Sequence, residues 1–195
     1  MRNRFVMALT LVAASLATGT TLMAQSTTWA IDPAHSSINF EVRHMGVSNV
    51  HGSLVGVNGT VVYNDKDITK SSVEATADTT TVSTGVEKRD NHLKSPDFFD
   101  TTKYPKLSFK STSLSNAGGK LTLTGDLTLN GVTKSIALNV DGPAPAQTDD
   151  KGVTRSGFSA TGKLKRSDYG FGPKFPSAVV GDDIKFTIDV EIDKK

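Results

Sequence analysis

The sequence contains no cysteine. Disulfides, thiolate metal sites, a thiol nucleophile and a lipid-modified amino-terminal cysteine are therefore excluded. Charge of one sign is also scarce: 22 Lys and Arg stand against 20 Asp and Glu, and Arg2 with Arg4 make up the whole excess. Without a basic patch in the rest of the chain, nucleic acid is not an expected partner. Beyond residue 24 there is no long apolar run, so no stable membrane insertion through a helix is expected across a bilayer about 30 Å thick. The sequence has no GxSxG elbow, HExxH pair, P-loop or GxGxxG between strand and helix. Each of those spacings positions a nucleophile, a metal or a phosphate, so the chain is not expected to be an enzyme.

What is present begins with an export pattern. Arg2 and Arg4 precede an apolar stretch at 5–17, and Ala24 stands before Gln25 at a small-residue cleavage point. Residues 1–24 are expected to be a cleaved signal peptide, which implies a periplasmic protein with one domain at 25–195.

From residue 28 the hydrophobic period is two. Ile184, Phe186, Ile188, Val190 and Ile192 alternate with Lys185, Thr187, Asp189, Glu191 and Asp193. One face of such a strand is apolar and the other solvated. Leu121, Leu123, Leu127 and Leu129 share a face, as do Ile136, Leu138 and Val140, with Asn130-Gly131 between the two runs. An Asn-Gly connection suits positive φ at both positions and marks 119–141 as one antiparallel hairpin. Further strands are expected at 36–45, 50–63, 71–81, 105–115, 155–164 and 183–193, eight in all. Alternation throughout suits antiparallel strands, and closure removes exposed edges, so the fold class is all-β, an eight-stranded antiparallel barrel. One or two short helices are expected in 84–104, with Ser95-Pro96 read as a helix start. The irregular stretch at 142–154 is read as an exposed turn away from any pocket.

A barrel of this size is filled by side chains or holds one small ligand. Candidate inward residues mix bulky Phe40, Val42, Phe109, Leu123, Leu127, Phe158 and Phe186 with small Ala75, Gly125, Ala160 and Gly162. The small residues are read as leaving room for a long apolar ligand, and the pattern alone leaves a filled core equally open. A turn centred on 46–49 would pair His44 with His51 on the inner face at the barrel mouth. Two imidazoles do not make a metal site by themselves, and a third ligand, His92 or Asp97, would have to come from the helical segment. Leu93, Phe98 and Phe99 need an apolar opening to cover, and Arg89 with His92 on the same helix would meet a polar head group or, alternatively, pair locally with Asp97 or Asp100.

The segments HSSINFEVRHMGVSNVHGSL, VEKRDNHLKSPDFFDTTKYPKLSFKST, GDLTLNGVTKSIALNV, LKRSDYGFGP and GDDIKFTIDVEID follow one another in this order. In these segments the chain resembles the YceI family over nearly all of the part beyond the signal. The resemblance implies a periplasmic, lipocalin-like barrel that binds a polyisoprenoid chain, such as an isoprenoid quinone or a polyprenyl phosphate, or another long amphiphile. It implies no enzymatic activity and no required cofactor beyond the lipid. The positions matching by motif are His35, His44, Arg89, His92, Phe98, Phe99, Pro105, Gly131 and Arg166. Transport, storage and sensing are all compatible with this, and so is a homodimer. The alternatives are a metal- or haem-linked redox accessory using the histidines, and a stress-related structural protein with a filled core.

Overall fold

The computed structural model describes residues 26–195, so the expected signal peptide and its cleavage point lie outside the described residues. Strands β1 (Ser26–Ile31), β2 (Ser37–His44), β3 (Ser48–Leu54), β4 (Asn58–Asn64) and β5 (Ser72–Asp78) precede helix α1 (Glu87–Lys94). Strands β6 (Lys106–Ala117), β7 (Lys120–Leu129), β8 (Val132–Asp141), β9 (Gln147–Thr148), β10 (Thr154–Lys165) and β11 (Val180–Lys194) follow it.

All pairings are antiparallel and the sheet closes through β10 and β11. β1 and β2 share one edge of β11, while β3 and β4 continue each other through a bend at Gly56, where φ is 71°. β8 and β9 likewise pair with successive parts of β10, so the eleven segments occupy eight barrel positions, the eight-stranded antiparallel barrel expected from the alternation. β1 lies beyond the strands read from the sequence. Its pattern rests on only two large apolar residues, Trp29 and Ile31, both buried.

The Asn130-Gly131 hairpin forms as expected, with φ of 52° and 74° and Leu129 opposite Val132. The β2–β3 hairpin corrects the sequence reading. Met45 and Gly46 take positive φ, 50° and 69°, and the tight turn places His44 opposite Ser48. Val42 then faces Val50, Phe40 faces Gly52 and Glu41 faces His51. A register offset by an odd number of residues sends every side chain to the other face. His51 therefore lies outside beside Glu41, and His44 is exposed at the strand end rather than inside the mouth.

Ser95-Pro96 ends the helix instead of starting it. Ser95 is extended, with φ −72° and ψ 168°, because a residue before proline avoids the helical region. Phe98 and Phe99 consequently lie in the turn after α1, where both are buried.

The β2–β3 and β7–β8 turns, α1 and residues 165–182 gather at one end of the barrel, termed upper. The start of β1, the end of β11 and residues 142–154 lie at the lower end.

Candidate functional site

The inner faces of the strands enclose an apolar upper chamber of about 200 Å³. Phe40, Val42, Ala75, Leu93, Phe98, Phe99, Phe109, Leu123, Leu127, Phe158, Ala160 and Phe186, all candidates from the sequence, line it together. His44, Arg89 and His92 do not line it. Ile184, on the apolar face read from the alternation, also contributes to the wall, as does Phe171, which lies in an irregular segment and was not singled out.

Three phenylalanines owe their position to glycine. Phe40 lies over Gly52, Phe109 over Gly125 and Phe186 over Gly162, and a Cβ on any of these glycines would meet the ring closely. Each ring is thereby laid flat on the barrel wall. Gly125 and Gly162 were expected to leave empty space, but that space is taken by Phe109 and Phe186. The lumen stays open because the rings lie against the wall.

The upper end is closed by an aromatic plug. Phe98 stacks on Phe175 with centroids 5.6 Å apart, and Phe99 meets Phe171 edge-on at 4.7 Å. His92 packs its ring edge-on against Phe98 at 5.2 Å, while its Nε2 lies 3.2 Å from Asp97 Oδ2. Lys174 donates to the other Asp97 oxygen at 3.0 Å. Lys174 first and His92 second hold the Asp97 carboxyl below the usual carboxylate range. Arg89 donates to the Thr84 hydroxyl at 2.7 Å and to the Thr84 carbonyl at 3.1 Å. Both candidate head-group residues are thus engaged in fixing α1 and the turn after it. His92 takes the local Asp97 partner foreseen as the alternative, and Arg89 takes Thr84 instead of an aspartate.

Arg166 is 5% exposed and binds the loop before β11 by donating to backbone carbonyls of Phe171, Gly172, Phe175, Val180 and Gly181. A planar five-donor guanidinium suits this task where a lysine would not. The sequence marked Arg166 by motif and assigned it no role.

A lower chamber of about 350 Å³ was missed altogether. Trp29, Tyr63, Leu114, Val140, Ser156 and the 142–146 segment line it, and Val73, Leu123 and Phe158 line both chambers, so the two are neighbours that meet at these side chains. The reading of 142–154 as a turn remote from the pocket is corrected accordingly. Ala144 N donates to the Gly157 carbonyl, and Ser156 Oγ donates to the Ala144 carbonyl, each at 2.7 Å, which holds this segment at the barrel end. GPAPA has no periodicity from which that placement could be read.

The histidines are not brought together by the corrected register. His35 instead hydrogen-bonds Asp32 at 2.7 Å and lies 3.8 Å from Glu191. Asp32, His35 and Glu191 each offer a ligand atom within 4.8 Å of the others. The Arg155 guanidinium, 3.3 Å from Glu191, already supplies positive charge there.

Known proteins resemble this chain along most of its length. Protein YceI of Shigella flexneri is 43% identical over 136 residues, 69% of this chain and 70% of the relative. UPF0312 protein VPA0850 of Vibrio parahaemolyticus is 40% identical over 151 residues, 76% of this chain and 79% of that protein. The crystal structure of the Campylobacter jejuni YCEI protein superposes with a TM-score of 0.70 at 31% identity, covering 78% of this chain and 90% of that one. A polyisoprenoid binding domain from Saccharophagus degradans has the same fold, with a TM-score of 0.63 at 15% identity over 87% of this chain and 99% of its own. The YceI-like domain matches residues 29–192, and the chain belongs to the YceI-like family.

Proposed function

We propose that this protein is a non-catalytic periplasmic carrier, store or sensor that holds the hydrocarbon chain of an isoprenoid or similar long amphiphile in its barrel. The observation that carries this reading is the upper chamber inside the barrel, walled almost wholly by apolar side chains, with the lower chamber adjoining it across Val73, Leu123 and Phe158. Burying a methylene is worth about 0.8 kcal/mol, so a five-carbon isoprene unit gains roughly 4 kcal/mol before ordering costs. Such a chain does not cross water alone, and enclosure by the apolar side chains of the barrel interior lowers that barrier. The family resemblance points to the same ligand class, and the Saccharophagus degradans domain of the same fold is a polyisoprenoid binding domain. The export pattern of residues 1–24 supports the compartment.

The test is extraction of the purified protein with organic solvent and mass spectrometry of what is released. A long-chain isoprenoid or other amphiphile in near-stoichiometric amount is the expected result. A protein that releases no lipid and takes up none when offered overturns the reading.

A further inference from the structure

Five large apolar side chains are exposed among the described residues, and three of them stand together at the upper end of the barrel. Met45 is 61% exposed and Val47 79%, both in the β2–β3 turn, and Val179 is exposed in the loop before β11. The two segments are tied at this point. Met45 N donates to the Val179 carbonyl at 2.9 Å, and His44 is the cross-strand partner of Val180. Pro176 and Ala178, also exposed, extend the apolar surface along the same loop. A contiguous exposed apolar cluster, unlike scattered single residues, marks an interaction surface.

The turn itself argues the same way. Met45 and Gly46 have φ of 50° and 69°, nearly the values of Asn130 and Gly131, 52° and 74°. One backbone geometry is thus built once with asparagine, which tolerates positive φ, and once with methionine, which does not favour it. No packing offsets this, since the Met45 side chain projects into solvent.

Charge at this tip has one sign. Residues 42–52 and 169–181 contain Arg43 and Lys174 and no Asp or Glu. Arg43 donates to Asn49 Oδ1 at 3.2 Å and to the Gly46 carbonyl at 2.8 Å, which sets its guanidinium beside the turn. It has no carboxylate partner among the described residues, and Glu41, two residues back on β2, is engaged by Lys185 at 2.8 Å. Lys174 binds Asp97 and keeps most of its side chain in water. The lower end differs: its turns mix Asp65, Asp67, Asp149 and Asp150 with lysines and hold none of the five exposed apolar side chains.

We infer that the upper end docks on the surface of a bilayer containing anionic lipid. Met45, Val47 and Val179 enter the boundary between head groups and acyl chains, and Arg43 and Lys174 meet lipid phosphates. The contact is peripheral and needs no spanning segment. The docked loop also carries Phe175, which stacks on Phe98 in the plug, and Arg166 grips it through the Phe175 and Val180 carbonyls. The plug is thereby turned toward the membrane. Docking goes beyond the lipid-binding reading and holds whatever the lumen carries.

Flotation of the full mature chain with vesicles tests this. A lipid held in the lumen leaves the protein in the dense soluble fraction, whereas docking carries it up with the vesicles. Vesicles of phosphatidylethanolamine and phosphatidylglycerol are compared with vesicles of phosphatidylcholine alone. Wild type is expected to float with the anionic vesicles and about tenfold or more weakly with the neutral ones. Met45→Asn with Val47→Asn puts a residue suited to positive φ in the turn. Its melting temperature is expected not to fall, while flotation drops about tenfold or more. The chain has no cysteine, so Val47→Cys and Asp150→Cys each give a single site for an environment-sensitive dye. The dye at position 47 is expected to shift to the blue on anionic vesicles, and the dye at position 150, at the lower end, to stay unchanged.

A wild type that remains in the soluble fraction, equal flotation with both kinds of vesicle, or a double variant that floats like wild type overturns the inference. So does a dye response at position 150 as large as that at position 47. A wild type that elutes as a dimer in gel filtration, with a double variant that elutes as a monomer, assigns the tip to a second copy of the chain and overturns membrane docking. The amount of lipid extracted from the protein bears on the lumen alone, so the two readings fail separately.

Discussion

The Phe186 ring lies on Gly162, its direct cross-strand partner, so closely that a Cβ on the glycine would stand 2.5 Å from Phe186 Cζ and 2.7 Å from Leu138 Cδ2. Phe40 and Gly52 repeat the arrangement, also as direct partners. Bulk on one strand is matched by absence of bulk on the next, and the ring is thereby kept out of the channel. Gly162→Ala is expected to lift Phe186 into the lumen, lower stability by about 1–3 kcal/mol through overpacking, and reduce lipid retention. Urea unfolding and solvent extraction check this together. Wild-type values in both would show that the ring does not depend on the glycine.

Ala160 is 4% exposed on the wall of the upper chamber, opposite Ile188 and Val140. Ala160→Trp projects an indole into open space and is expected to displace the lipid tail while the barrel still folds. In a filled core the same change would cost about 1–3 kcal/mol. Extraction of lipid from the variant, set beside its melting curve, separates the two. Early unfolding, together with a wild type that carries no ligand, would sink the open-lumen reading.

Arg89 and His92 are tied to Thr84 and Asp97, outside the upper chamber wall. Arg89→Ala combined with His92→Ala is therefore expected to lower stability by about 1 kcal/mol and leave lipid retention unchanged. Lost retention with an unaltered melting temperature would restore a head-group role to this pair.

His35, exposed at the lower end, is held above its ordinary pKa of 6.5, first by its hydrogen bond to Asp32 and then by the charges of Asp32 and Glu191. A raised folded pKa gives a contribution fully present below the unfolded value and lost as pH rises through the folded one. Asp32 is held below 3.8, chiefly by the same bond, so its contribution is present above 3.8 and fades as pH falls through the lowered value. The difference in melting temperature between wild type and His35→Gln should be largest between these limits and shrink toward alkaline pH. A difference that grows above pH 8 would contradict this.

Export can be read from mass alone. In a Gram-negative host the protein is expected in the osmotic-shock fraction with its mature start at or near Gln25. Retention of Met1 in the membrane fraction would remove the periplasmic assignment.

The faces of the strands were legible in the sequence because alternation is local: Leu121, Leu123, Leu127 and Leu129 point inward as a consequence of their spacing alone. The Asn130-Gly131 turn was equally legible, since positive φ is a preference of those two residues. Both signals depend on neighbours in the chain, and together they were enough for an antiparallel barrel with an apolar interior. Tertiary structure decided what the interior can do. A three-residue turn set the β2–β3 register and moved His44 and His51 apart, and Phe rings occupied the room that Gly125 and Gly162 had promised. The irregular segments around Arg166 and Pro143 became a loop clamp and a chamber wall through contacts with Val180, Gly157 and Trp29's neighbourhood. Such contacts join residues on separate elements, and periodicity along one chain segment contains no record of which distant backbone or ring will lie beside it.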